Sequence, residues 1–240
     1  MEHPARIQII IPCYNPPEGW AARLIERAGV LQRELGGVAL GFTLVNDGST
    51  RGVGDAEREA VRNLLGEVRW IDHAVNKGKG TALRTGVQAG GAAIYLFTDV
   101  DIPYTVSSMV RACNTLLEGA DVVLGYRQDD YYDRVPLTRR MISKTFRWVL
   151  RNVMRFPISD TQCGLKGFNE KGRRVFMATT IERFLFDMEF VMLISRRKDL
   201  LVRTIDARLD EGIRFSRMNY RVLARESVNF LKVLFRGLRQ

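Results

Sequence analysis

Ala92-Ala93-Ile94-Tyr95-Leu96-Phe97-Thr98-Asp99-Val100-Asp101 is an apolar run that ends in two carboxylates one residue apart. The run from Ala92 to Phe97 has the length of one strand and no polar alternation, so it reads as a strand buried on both faces. Strands of that kind belong to parallel sheets covered by helices. In such a sheet ligands bind at the carboxyl ends of the strands, which is where Asp99 and Asp101 emerge. Two hard oxygen donors with no histidine nearby suit Mg²⁺ or Mn²⁺. A solvated turn carrying two acids is the plainer reading of the same residues.

Outward from this stretch the pattern repeats. Arg6 to Pro12 is a β-branched run ending at proline, followed by a loop with Asn15, Pro16 and Pro17. Glu18 to Leu35 carries helical spacing and stops at Gly36-Gly37. Val38 to Val45 reads as a strand, Asp55 to Leu65 as a helix and Val68 to Asp72 as a third strand. A helix from about Thr81 to Gly90 precedes the central run; a helix from Val106 to Leu117 and a strand from Asp121 to Gly125 follow it. Strands alternating with helices at this spacing predict an α/β, doubly wound, mostly parallel sheet. After Gly125 the alternation becomes irregular: a basic helix (Pro136 to Arg155), a short strand (Gly164 to Phe168) and a strand from Leu201 to Ala207. No linker separates these parts. The expectation is one domain of 240 residues, with a doubly wound first half (1–127) and a second lobe (128–240) packed on it.

Composition narrows the classes. No window approaches about 18 uninterrupted apolar residues, so no membrane-spanning helix is encoded. Met1 to Arg6 lacks the basic start and apolar core of a signal peptide. Cys13, Cys113 and Cys163 are odd in number and scattered, which suits a reducing cytosol better than a disulfide framework. His3 and His73 alone do not make a histidine zinc site. Charge is uneven: residues 1–133 hold 13 Lys+Arg against 17 Asp+Glu, a net of −4, and residues 134–240 hold 24 against 10, a net of +14. The acidic half carries the carboxylate pair, and the basic half faces something anionic.

Three strand ends carry polar groups of functional type: Asn15, Asp47 in Asn46-Asp47-Gly48-Ser49-Thr50, and Asp99 with Asp101. Parallel topology brings them to one edge. Asp47 can accept hydrogen bonds from a ribose hydroxyl or a base N–H, or it can simply serve the turn. Lys77, Lys79 and Arg84 flank two glycines at a helix start, where backbone N–H groups, dipole and cations together favour phosphate. The spacing is neither that of a P-loop nor that of a dinucleotide fingerprint.

Taken in order, Ile11-Pro12-Cys13-Tyr14-Asn15, Val45-Asn46-Asp47-Gly48-Ser49, Asn76-Lys77-Gly78-Lys79-Gly80, Thr98-Asp99-Val100-Asp101, Gly125-Tyr126-Arg127, Asp160-Thr161-Gln162-Cys163-Gly164-Leu165-Lys166 and Phe186-Asp187-Met188-Glu189 resemble glycosyltransferase family 2 of the GT-A fold. The Asp160 to Lys166 segment is similar to the dolichyl-phosphate glucosyltransferase branch and its bacterial relatives. The resemblance implies that Pro12, Tyr14, Asn15 and Asp47 line the base and ribose pocket. It implies Asp99 and Asp101 as the metal pair, with Asp101 the more direct ligand, and Lys79 and Arg127 near a diphosphate or acceptor phosphate. It places Asp160 and Gln162 against sugar and acceptor. The implied reaction is inverting transfer of a hexose from a nucleotide diphosphate sugar, UDP-glucose first, to a polyprenyl phosphate. Transfer to a sugar or protein hydroxyl is the alternative. This chain departs from the family pattern at Pro16, where glutamate usually follows Tyr-Asn, so nucleotide choice stays open.

A phosphate acceptor is already an anion near neutral pH and needs no base, whereas a hydroxyl acceptor needs one. Asp160, Asp187 and Glu189 are the candidates in the second lobe. Arg140, Lys144, Arg147, Arg151 and Arg155 fall on one helical stripe, and Arg221, Arg225, Lys232, Arg236 and Arg239 repeat the design. Basic amphipathic helices suit an anionic membrane surface, so the expected location is cytoplasmic, peripheral on the cytoplasmic face of a membrane. No nucleic-acid motif is present, and nucleic acid is not an expected partner.

Overall fold

The computed structural model describes residues 6–127 and 163–210. They form a seven-stranded sheet in the order β3-β2-β1-β4-β6-β5-β7. The strands are β1 (Arg6–Cys13), β2 (Ala39–Asp47), β3 (Val68–His73), β4 (Ile94–Phe97), β5 (Val122–Tyr126), β6 (Lys166–Asn169) and β7 (Val202–Asp206). The helices are α1 (Trp20–Glu34), α2 (Asp55–Leu65), α3 (Lys79–Ala89), α4 (Val106–Leu117), α5 (Glu170–Met177) and α6 (Phe186–Ser195).

Alternation along the central strands decides what packs where. Ile7, Ile9 and Ile11 of β1, with Ile94 and Leu96 of β4, face the layer built by α1, α2 and α4. Ile10, Tyr95 and Phe97 face the opposite layer, built by α3, α5 and α6. Both sets are apolar, which is why β1 and β4 read as unbroken hydrophobic runs. The second layer is dominated by Phe97, Phe168, Phe176, Phe186 and Phe190, and the Phe168 and Phe176 rings stack with centroids 5.0 Å apart. Truncating such a ring to alanine costs about 3–5 kcal/mol.

β1 pairs in parallel with both β2 and β4. The chain first winds from β1 to β3 in one direction and then returns to the other side of β1. That reversal opens a crevice at the carboxyl ends of β1 and β4, where doubly wound sheets take their ligands. β6 lies antiparallel between β4 and β5, so its amino end enters the same edge. The strands of the second half are therefore members of the central sheet, not a layer laid on it.

Several boundaries differ from the sequence reading. β2 runs through Asn46 and Asp47, because both pair in register with Asp72 and His73 of β3. α3 begins at Lys79 rather than Thr81, placing both lysines of the glycine turn at or before its first residue. The basic stripe from Arg140 to Arg155 and the one from Arg221 to Arg239 lie outside the described residues.

Candidate active site

The acid pair sits where the crevice opens. Asp99 and Asp101 follow β4 directly and are both partly exposed. Lys79 Nζ donates to Asp99 Oδ1 at 2.5 Å. Burial works against the Lys79 ammonium, yet Asp99, Asp187 and Asp101 outweigh it and raise its pKa. Burial pushes the Asp101 carboxyl up, and the neighbouring charge of Asp99 adds to that. The two carboxylates emerge one residue apart at the same strand end, a donor set that a hard divalent cation fits.

Asp99 also touches the second half of the chain. A Cβ added at Gly164 would lie 2.6 Å from Asp99 Oδ2, so only glycine lets the segment approach this closely. Gly164 N donates to the Tyr104 hydroxyl at 2.6 Å. Tyr104 is almost fully buried, and burial, with Cys163 and Asp99 nearby, raises its phenol well above the ordinary range. Behind it, Lys166 Nζ donates to Asp187 Oδ1 at 2.7 Å and to the Cys163 carbonyl. Burial pushes the Asp187 carboxyl up, while Lys166 and Lys79 pull against it. A line of alternating charge runs from Asp101 and Asp99 through Lys79 to Asp187 and Lys166.

The glycine turn before α3 is built into the protein from both sides. Asp47 Oδ1 accepts from Lys77 N at 2.9 Å and Asp47 Oδ2 from Gly78 N at 2.8 Å. Thr81 N donates to the Glu182 carbonyl at 3.1 Å. Gly78 has φ +97°, and a Cβ there would meet that same carbonyl at 2.6 Å. The expected phosphate cradle therefore spends several of its N–H groups on the chain itself. Arg84 turns away from the crevice, donating to Thr179 Oγ at 3.1 Å and to the Ile181 carbonyl at 2.9 Å. Its expected phosphate contact gives way to this link because the 179–182 segment covers that side of α3. Lys79 is the cation of the turn that reaches the acid pair.

On the β1 side, Tyr14 is exposed and Pro12 half-buried, so the Tyr14 ring is open to a ligand at the crevice. Asn15 has φ 44°. Its Oδ1 accepts from Thr50 N at 2.9 Å and Arg51 N at 3.2 Å, and its own N–H donates to Ser49 Oγ at 3.0 Å. Asn15 thus fastens the loop after β1 to the loop after β2. Asp47, read as a base or ribose contact, has both oxygens engaged by His73, Lys77 and Gly78. Arg127 follows β5 at the same edge, within electrostatic reach of Tyr104. Asp160 and Gln162 lie outside the described residues.

Glu189, one of the candidate bases, is buried and accepts from Thr180 N and Ile181 N, both at 2.8 Å, and from Thr180 Oγ at 2.9 Å. It holds the segment before α6. Tyr104, Lys166 and His73 were not expected at the site. Lys166 closes the Asp160 to Lys166 segment, but nothing in its spacing shows that its ammonium turns inward to Asp187.

The family model for glycosyl transferase family 2 matches residues 8–177. A dolichyl-phosphate beta-glucosyltransferase of Trichomonas vaginalis is 25% identical over 245 residues, covering 95% of this chain and 72% of the relative. The enzyme of that name from Drosophila melanogaster is 27% identical over 207 residues, covering 80% of this chain and 63% of its own length. This chain thus spans less than two thirds of the Drosophila protein. Among solved structures, glucosyl-3-phosphoglycerate synthase from Mycobacterium tuberculosis, crystallised with Mn²⁺, UDP and glucosyl-3-phosphoglycerate, superposes with a TM-score of 0.67 at 15% identity, covering 97% of this chain and 80% of that one. A mannosyltransferase from Pyrobaculum calidifontis, in complex with GDP-Man and Mn²⁺, gives 0.59 at 16% identity, covering 100% and 66%. The fold is shared with these, and the family model spans most of the sequence: the chain belongs to glycosyl transferase family 2 and is a glycosyltransferase of the GT-A fold, related to the dolichyl-phosphate glucosyltransferase branch.

Proposed function

We propose that this chain transfers glucose from UDP-glucose to a polyprenyl phosphate, with inversion at the anomeric carbon and with Mg²⁺ or Mn²⁺ held by Asp99 and Asp101. The observation that carries this reading is the acid pair at the sheet's switch point, with Lys79 on one side and the Cys163-Gly164 segment against it. The names of the curated relatives supply the sugar and the acceptor class.

The division of labour follows from the residues. Tyr14, exposed at the end of β1, offers a ring face to the base. Asp99 and Asp101 hold the cation, which when bound offsets charge developing on the leaving diphosphate. Lys79 stands beside that pair as a second positive charge for the same oxygens. Arg127, at the end of β5, meets the acceptor phosphate. Deprotonation of the acceptor is not required, and the described carboxylates agree: Asp187 is committed to Lys166 and Glu189 to the 180–181 backbone. Asp160 and Gln162 keep their proposed place near sugar and acceptor.

Attachment to an anionic membrane surface on the cytoplasmic side completes the proposal, supported by the net +14 of residues 134–240. Among the described residues no helix is long and apolar enough to cross a membrane.

The deciding experiment incubates the protein with UDP-glucose labelled in the sugar, Mn²⁺ and a polyprenyl phosphate. Lipid-extractable label that is lost in Asp101→Ala supports the reading. Label appearing only on added sugar or protein hydroxyls overturns it.

A further inference from the structure

His73 is the one described histidine and the catalytic reading makes no use of it. It ends β3, is buried, and has a partner on each ring nitrogen. Nδ1 lies 2.7 Å from Asp47 Oδ1, and Nε2 lies 3.1 Å from Thr85 Oγ on α3. An ionised carboxylate only accepts, so Nδ1 is the donor in that pair. Asp47 passes the constraint on, because its oxygens receive the N–H groups of Lys77 and Gly78. Gly78 is pressed against the Glu182 carbonyl on its other side. Lys79 follows at once, and its side chain ends on Asp99. The ends of β2 and β3, the body of α3 and the turn before α3 thus meet through one imidazole.

We propose that His73 is a positioning residue for the donor's diphosphate: clamped between Asp47 and Thr85, it fixes the Lys77–Gly78 turn and thereby aims Lys79. Asp47 then serves the chain's own backbone, and donor recognition divides in two. Tyr14 and the β1 loop hold the nucleoside, and the His73-anchored turn holds the phosphates. The inference rests on the proposed nucleotide-sugar donor and adds a residue, a route and a split in specificity to it. A carboxylate fixing a turn by two N–H bonds and a ring is pre-organised before ligand arrives, so its loss appears in the contacts Lys79 makes.

The test measures binding of uridine, UDP and UDP-glucose, with Mn²⁺, to the full chain and to His73→Leu, His73→Asn, Thr85→Val, Lys79→Met and the His73→Leu/Lys79→Met double variant. Asparagine retains a donor where Nδ1 stands and leucine retains none. The expected result is a roughly tenfold loss for UDP and UDP-glucose in His73→Leu, with uridine changed by less than twofold. His73→Asn recovers most of that loss. In the Lys79→Met background, His73→Leu adds less than twofold, since coupled residues are not additive. Thr85→Val gives a smaller loss of the same selectivity, and it carries the test if His73→Leu does not fold. Equal weakening of uridine and UDP, or fully multiplicative losses for His73 and Lys79, overturns the proposal. A wild type that binds UDP, with no such split among the variants, leaves the donor reading standing while this one falls. A wild type that binds no nucleotide removes the donor reading itself, and this proposal with it.

Discussion

Lys166 Nζ lies 2.7 Å from Asp187 Oδ1, the lysine fully enclosed and the aspartate nearly so. β6 and the first turn of α6 are joined by this pair directly beneath the crevice. Breaking one partner of a buried ion pair strands the other charge, at a cost of about 3–5 kcal/mol. Lys166→Met should therefore lower the urea midpoint sharply, and Lys166→Met with Asp187→Leu should recover much of it. Equal stability of wild type and the single variant would show that the pair contributes nothing.

Asp101→Ala should leave the fold intact, because the side chain is partly exposed at a strand end. Turnover should fall roughly a hundredfold or more, as when a group that stabilises leaving-group charge is removed. Mn²⁺ binding, followed by electron paramagnetic resonance, should weaken in parallel. Full turnover in excess EDTA would contradict the assignment.

Tyr104→Phe removes the acceptor for Gly164 N and leaves a buried N–H unpaired, worth about 1–3 kcal/mol. The same change loosens the segment that faces Asp99. The expected signature is a raised KM for the proposed lipid phosphate acceptor with little change in the KM for the donor. A uniform fall in kcat alone would argue against a role at the acceptor side.

Neither Asp187→Asn nor Glu189→Gln should erase a limb of the pH–rate profile, since both carboxylates are spent inside the protein. Loss of the acidic limb in either would point to a hydroxyl acceptor.

Acid stability gives a separate check on the sheet edge. The hydrogen bond from Arg58 is the main cause holding Asp72 down at about 2, with burial opposing it and Asn46 assisting. The folded value lies below the 3.8 of an unperturbed aspartate, so the contribution is present above that pH and is lost as pH falls toward about 2. The Asp72 side chain is half exposed, so solvent screening keeps the effect small, within about 1 kcal/mol. The difference in melting temperature between wild type and Asp72→Asn should shrink across that window. A difference independent of pH would mean the charge plays no part.

The alternation of β1 and β4, the helical spacing of α1 and α4, and the carboxylate pair were legible because each is a local pattern with its own period. Asn46 and Asp47 resemble turn residues by composition, yet β3 pairs with both, and tertiary pairing outweighs turn preference. The place of β6 was not legible, since four residues carry no mark of which strands they will separate. Lys166 and His73 were hidden for a related reason. A buried lysine is written like an exposed one, and only the folded neighbour, Asp187 in one case and Asp47 in the other, tells them apart.

The insertion of β6 also sets an order on assembly. β4 ends at residue 97 and β5 at residue 126, but the strand that joins them begins at residue 166. Until that strand emerges from the ribosome, β4 has β1 on one side and an open backbone edge on the other. An open edge beside Tyr95 and Phe97 is a template for pairing with another chain. Non-local pairing of this kind slows folding, and the nascent first half must be shielded while it waits. Misassembly of this protein during synthesis is therefore expected to begin at β4, the strand that leads into the acid pair.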